Sequence, residues 1–411
     1  MEIEPKQPHT SSLRGRQILE HRKEIDPIRK RAASNGENTP LKRKVFVAMS
    51  GGVDSSVAAL LLKQEGYDVT GVFMMNWTDT ADLPSDSCTW EQDRRDAMRV
   101  ATRLKIPFFT FDFQKEYRKY VVDYLFSEYK AGGTPNPDIM CNKFIKFDLF
   151  LKKSLKLGAD FIATGHYARI SRHSLVVTPK PAEYILSIPK DTWKDQTYFL
   201  YTLAQKQLEH VLFPLAVLLK TEVRAIAKKH GLATASKPES QGICFVGEVP
   251  IKRFLQRKLP RKFGSVLNLR GKVIGEHGGA YFCTIGQRHG FHIFNQKTNS
   301  QPHYIVEKNV KKNTLVAVEG NTHPKLFQKT LTVDHIHWIA VKPPKMPLPC
   351  KARIRHGQPL QSAFARKSDR GWSVVFAKPQ YAIAPGQSVV LYTHSGEVLG
   401  GGVITPRLGK S

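Results

Sequence analysis

From Val45 onward, short apolar runs alternate with stretches of helical period. Val45–Met49 reads as a buried strand, Val57–Leu62 as part of a helix, Val69–Met75 as a second strand and Glu91–Leu104 as a second helix. Phe108–Phe111 follows as a strand, Tyr117–Tyr129 as a helix, Asn142–Leu157 as a helix and Phe161–Thr164 as a strand. This alternation predicts an α/β fold with a mostly parallel sheet covered on both faces. Ligands of such sheets sit beyond the carboxyl ends of the strands, which gathers Ser50–Ser55, Met74–Met75 and Gly165–His166 on one rim. From about Glu248 glycines multiply and strands shorten, as expected of a small β-rich central domain. Short alternating strands from about Gln328 predict a C-terminal antiparallel β-barrel. The expected division is a polar, disordered leader at 1–44, a nucleotide-binding domain at 45–247, the central domain at 248–327 and the barrel at 328–411.

The first strand breaks at Ser50-Gly51-Gly52 and resumes as a helix. Strand, glycine turn and helix aim free backbone N–H groups at an anion. Gly51 and Gly52 permit positive φ and let a phosphate approach the backbone. Ser50, Asp54, Ser55 and Ser56 supply polar groups at the helix start, more than a simple cap requires. The spacing matches neither Gly-x-x-x-x-Gly-Lys-Ser nor Gly-x-Gly-x-x-Gly.

The net charge of +28, from 63 Lys and Arg against 35 Asp and Glu, points to a polyanionic partner, nucleic acid first. Residues 1–44 hold eleven of the cations and six of the anions, so most of the excess belongs to the folded body. Nothing approaches the run of about 18 apolar residues that spans a membrane. The cysteines Cys88, Cys141, Cys244, Cys283 and Cys350 are too scattered for a disulfide framework or a Cys-x-x-Cys metal site. A resident metal site is not expected.

Two loops carry candidate chemistry. In residues 132–147, Pro135 and Pro137 bracket Asn136, and Asp138 and Cys141 fall at or just before a predicted helix start with Lys143 and Lys146 nearby. A helix N-terminus and cations lower a thiol pKa, and Asp138 could exchange a proton with a bound group. Equally, Cys141 could be a small buried apolar residue and Asp138 a cap. The loop 236–245 closes on Cys244 beside Gly242, a candidate for chemistry or an inert thiol. Arg353 and Arg355 are expected to project from one strand face, toward phosphate or toward solvent.

Ser-Gly-Gly-Val-Asp-Ser at 50–55 resembles the loop of the PP-loop ATP pyrophosphatases. Asn-Pro-Asp-Ile-Met-Cys-Asn at 136–142, Ala-Thr-Gly-His-Tyr at 163–167, Lys-Asp-Gln at 194–196, Gly-Ile-Cys-Phe at 242–245, Gly-Gln-Arg at 286–288 and Pro-Gly-Gln at 385–387 narrow the resemblance to the tRNA-specific 2-thiouridylases. Ser-Asp-Ser-Cys-Thr at 85–89, Glu-Ser-Gln at 239–241 and the leader look closer to a eukaryotic, mitochondrial branch, with a cytoplasmic location as the alternative.

The resemblance implies an ATP-dependent sulfurtransferase that adenylates the wobble uridine in a tRNA anticodon arm and then delivers persulfide sulfur to carbon 2. It implies that Ala48, Met49, Ser50, Gly51, Gly52, Val53, Asp54, Ser55, Met74 and Gly165 hold ATP and Mg2+. Asn136, Pro137 and Asp138 would surround the base. Cys244 would carry sulfur from a donor protein, and Cys141 would close a disulfide with it. His166, Lys194, Asp195, Gln196, Arg353, Arg355 and Gln387 would contact tRNA. A small-metabolite amidating enzyme and a non-catalytic RNA-binding protein are the competing readings. Neither accounts for both the charge and the two loop cysteines.

Overall fold

The computed structural model describes residues 42–79, 90–173, 183–239, 251–295, 300–368 and 371–406. Strands β1 (Lys44–Ala48), β2 (Asp68–Met75), β3 (Phe108–Asp112) and β4 (Phe161–Ala163) pair in parallel. An antiparallel hairpin, β5 (Arg169–His173) and β6 (Glu183–Ser187), precedes β7 (Val211–Leu212), which joins the parallel sheet as its edge. The order β3-β2-β1-β4-β7 reverses direction between β1 and β4. A crevice at such a reversal is where doubly wound sheets bind ligands.

Alternation along β1 sends Val45, Val47 and Met49 into one core and Phe46 and Ala48 into the other. On the first face packs helix α1 (Val53–Gln64), buried almost all round because helices α2 (Trp90–Leu104) and α3 (Lys220–Lys229) flank it. On the second face the chain is helical through Pro137–Met140, a π-helical stretch Cys141–Phe150 and Leu151–Lys156. This helix begins well before the expected Asn142. Asn136 caps it, its Oδ1 accepting the N–H groups of Asp138 and Ile139 at 3.0 and 3.3 Å, and Pro137 occupies the first helical position.

A second sheet spans Gly264–Leu267 to His303–Asn309 and Thr314–Glu319, and a third begins at Phe327–Val333. The third is antiparallel throughout and curls: Val333 bridges Ile404, and the Thr405 N–H donates to the Thr332 carbonyl at 3.0 Å. The α/β architecture with β-rich and barrel domains is therefore as the pattern predicted. The domains share a core, since Phe254 and Leu255 of the middle region and Ile339, Val390 and Tyr392 of the barrel pack with Phe147 and Tyr198 of the first.

Candidate active site

Two stretches define the crevice. After β1, Gly51 takes φ +76°, and an added Cβ there would stand 2.2 Å from the Asp93 carbonyl oxygen. Gly52 instead has φ −94°, so only the first of the two glycines uses the left-handed region. The Ser55 hydroxyl accepts the Ser50 N–H at 3.2 Å, and the Ser56 hydroxyl donates to the Gly52 carbonyl at 2.8 Å. Ala48, Met49 and Val53 lie buried beneath this turn, while Ser50 is exposed. After β4, Gly165 lies against the start of α1, where a Cβ would come within 2.7 Å of the Ser55 nitrogen.

A charged network rims the loop. Both carboxylate oxygens of Asp54 accept from Lys220 Nζ at 2.7 Å, and the Tyr167 hydroxyl donates to Asp54 Oδ1 at 3.0 Å. Burial first, then the Asp54 charge, drives the Tyr167 pKa up. Lys220 also lies 3.5 Å from Glu239, which Lys194 grips at 2.6 Å; the Lys194 hydrogen bond first, and Lys220 with it, holds the Glu239 pKa down. Lys237 pairs with Asp93 and Asp96, each at 2.7 Å; burial opposes its charge, but the two carboxylates prevail and raise its pKa. A helix N-terminus favours an anion, and Asp54 fills that role.

Other expected site residues are placed less simply. Met74 is buried in the second core with Phe46, Ala48 and Phe111. Cys141 is fully buried in that same core, and Asp138 is half-buried one turn earlier in the helix. The reading of Asp138 as cap is corrected, because Asn136 performs it. Cys141, as the fifth helical residue, lies beyond the first turn. Cys244 and Cys88 fall outside the described residues.

The expected tRNA contacts divide. Lys194 is partly exposed on the rim. Gln196 braces the Gly165–Tyr167 turn, its Oε1 accepting the Tyr167 N–H at 2.9 Å. His166 is buried, its Nδ1 2.7 Å from the Thr164 hydroxyl and its ring between Phe147 and Phe213. Burial first and Lys146 second push its pKa well below the usual histidine value. It is thus a neutral group at ordinary pH.

Arg353 and Asp195 form an inter-domain ion pair at 2.9 Å with side chains 7% and 2% exposed, and the guanidinium lies 4.8 Å from the Tyr392 ring centre. Arg355 lies past the strand end and donates to the Ala382 carbonyl at 2.8 Å. The expectation of two arginines on one strand face, turned toward phosphate, is therefore corrected. The strand stops at Arg353, and that charge is spent inside the protein.

Gln387 belongs to a junction where both β domains grip the loop before Asn136. Its Nε2 donates to the Thr134 carbonyl at 3.0 Å, and the Thr134 N–H donates to the Pro385 carbonyl at 2.8 Å. From the middle domain, Lys308 Nζ donates to the Gly133 and Cys283 carbonyls at 3.4 and 2.7 Å. Burial lowers the Lys308 pKa to about 8.

Residues 43–248 match the family described as tRNA methyl transferase HUP domain, residues 252–319 its PRC-barrel domain and residues 328–404 an aminomethyltransferase beta-barrel domain. The tRNA-specific 2-thiouridylase MnmA 2 of Geobacillus kaustophilus is 45% identical over 366 residues, covering 89% of this chain and 95% of that protein. The chain belongs to the MnmA-type tRNA 2-thiouridylase family. A second member, from Halalkalibacterium halodurans, is 46% identical over 373 residues, 90% of this chain and 97% of its own. Among solved structures, a 4-thiouridine synthetase–RNA complex with bound ATP covers 53% of this chain and 50% of its own at 18% identity, with a TM-score of 0.30, too low to weigh.

Lys220, Lys237 and Lys308 lie outside the family motifs, and Tyr167 lies within one but was given no role. Tyr167 ends the Ala-Thr-Gly-His-Tyr run and could have been read from it. Lys220 had only one local signal, its place at the N-terminus of a helix, where a cation is otherwise unfavourable.

Proposed function

We propose that the protein is a tRNA 2-thiouridylase, an ATP-dependent tRNA-uridine 2-sulfurtransferase. Two features support this reading: the Ser50–Ser55 loop and Gly165 end the two strands at the sheet reversal, and the loop leading to Asp138 and Cys141 is clamped by both β domains. The residues fit a triphosphate: the loop is Cβ-free at Gly51, Ser50 is exposed, and α1 points its N-terminus there. Among the described residues no cluster of three metal-ligating side chains exists. Mg2+ commonly takes one or two carboxylates and completes its shell with phosphates and water, so Asp54 suffices to hold it. Bound there, the ion supplies charge neutralisation at the phosphates.

The uridine carbonyl oxygen attacks the α-phosphorus of ATP, the α–β bridge bond breaks, and pyrophosphate departs with its electron pair. Released from Asp54, Lys220 is positioned to meet the charge that develops. A donor protein leaves sulfane sulfur on Cys244 as a persulfide. Its terminal sulfur bonds to carbon 2, Cys141 moves out of the core where it rests fully buried and attacks the Cys244 Sγ as a thiolate, and the sulfur–sulfur electrons pass to the new substituent. AMP then leaves, and the Cys141–Cys244 disulfide awaits reduction by thiols. Cys244 is five residues beyond Glu239, a tether of at most about 18 Å. Asn136 and Pro137 set the approach to the base, which must leave the stack at a cost of a few kcal/mol. The basic leader and the departures at 85–89 and 239–241 support a mitochondrial branch and location, to be checked by fractionation.

Pyrophosphate release should require a tRNA with a wobble uridine. Release with a small metabolite alone, or no release at all, would select one of the competing readings. Cys141→Ser and Cys244→Ser should each abolish thiolation while tRNA binding stays near native. A variant that still thiolates with a persulfide donor refutes the role given to that cysteine.

A further inference from the structure

Trp193 is 92% exposed, the most of any large apolar side chain among the described residues. An indole left in water forgoes the largest burial gain of any side chain, so its exposure calls for a partner. The turn beneath it is braced. Asp191 is buried and its Oδ1 accepts the N–H groups of Trp193 and Lys194, both at 3.2 Å. Asp191 Oδ2 accepts the Lys220 N–H at 2.8 Å, and Lys220 in turn clamps Asp54 of the nucleotide loop. The Lys190 N–H donates to the Ala216 carbonyl at 2.9 Å and the Gln196 N–H to the Tyr167 carbonyl at 3.0 Å, fixing both ends. Lys190 and Lys194 flank the indole with side chains 48% and 37% exposed.

We propose that Trp193 is a stacking platform for an unpaired base of the tRNA anticodon loop beside the uridine that is modified. The proposal rests on the thiouridylase reading and names a recognition element within it. Extruding one nucleotide strips its neighbours of a stacking partner. An indole carried on a braced turn replaces that partner whatever the base, since every base has a π face. Lys190 and Lys194, paired in the free protein with Glu222 at 3.1 Å and Glu239 at 2.6 Å, would exchange these carboxylates for the flanking phosphates of such a strand. A strongly basic body and a rim built for phosphate favour a polyanion over an apolar peptide on this face.

The test uses the full chain and an anticodon stem-loop RNA with a wobble uridine, read by binding and by tryptophan emission. Among the described residues Trp77 is buried and Trp90, Trp338 and Trp372 are half-buried, so a ligand from solution reaches Trp193 first. RNA should quench native emission. Trp193→Leu should weaken RNA binding by about five- to a hundredfold while Trp193→Tyr keeps most of the affinity, although leucine is the more apolar residue. Abasic sites on either side of the uridine should erase the difference between native and Trp193→Leu. Equal RNA affinity of native and Trp193→Leu, with native emission unmoved, overturns the stacking role and leaves the thiouridylase reading intact. An emission change produced only by a persulfide-bearing donor protein also overturns it. Failure of the native chain to bind any tRNA overturns the thiouridylase reading itself.

Discussion

The nucleotide rim and the three-domain junction are held by opposite means. Around Asp54 the contacts are side-chain ion pairs: Lys220 to Asp54 and Glu239, Lys194 to Glu239, and Lys237 to Asp93 and Asp96. Around Gly133–Thr134 they are mostly bonds to backbone, from Gln387, Lys308 and Pro385, with Gly386 so close that a Cβ would sit 2.5 Å from the Thr134 nitrogen. Ion pairs at a partly exposed rim can exchange one anion for another, as the triphosphate binding proposed there demands. Backbone bonds cannot be traded in this way. They set the position of the Asn136–Cys141 helix start, and with it the geometry of the sulfur step proposed there.

The sharpest break of this contrast is Lys220→Met. It leaves Asp54 with the helix N-terminus and the Tyr167 hydroxyl but no cation, and it removes a charge proposed to meet the phosphates. The kcat/KM for ATP should fall by about 10²- to 10³-fold, the scale of losing one electrostatic stabiliser, with tRNA affinity near native. Unchanged pyrophosphate release would show that the pair is static and that the rim resembles the junction.

Gly386→Ala probes the other side. Its φ of +89° is costly for an L-residue, by about 1–2 kcal/mol, before the contact with Thr134 is counted. Relieving that contact shifts the loop before Asn136, so thiolation should drop about tenfold, a decade of rate being about 1.4 kcal/mol of barrier, while ATP affinity holds. Loss of ATP binding in equal measure would merge the two regions into one unit.

The smallest effect concerns His166, buried next to Gly165 of the rim. Its folded pKa is depressed, so below about pH 6.5 the unfolded chain takes up a proton that the folded one refuses. Stability is full above that pH and declines below it, by at most about 1.4 kcal/mol per pH unit from this group. Denaturant unfolding at pH 7.5 and 5.5 should show a shallower acid loss for His166→Gln, which can keep the bond to Thr164. Identical losses in both proteins would mean that His166 accepts its proton within the fold.

Much of the site was legible from contiguous residues. Alternating apolar runs marked the sheet, and Ser50–Ser55 declared a glycine turn into a helix because backbone geometry there depends on neighbours in sequence. The helix start at Pro137 was also legible in principle, since proline favours the first helical position after an asparagine cap. The same-face argument for Arg353 and Arg355 failed because a period of two holds only while the strand lasts.

What the sequence alone determined, then, was the local chemistry: the glycine turn, the cap, the strand periods and the excess of positive charge. Only the tertiary structure decided which charges meet. Lys220 reaches Asp54 across 166 positions, Gln387 reaches Thr134 across 253, and Arg353 is turned inward to Asp195. Local backbone preference is a property of a few adjacent residues. Pairing across domains is set by how the shared core packs, and no single stretch of sequence contains that information.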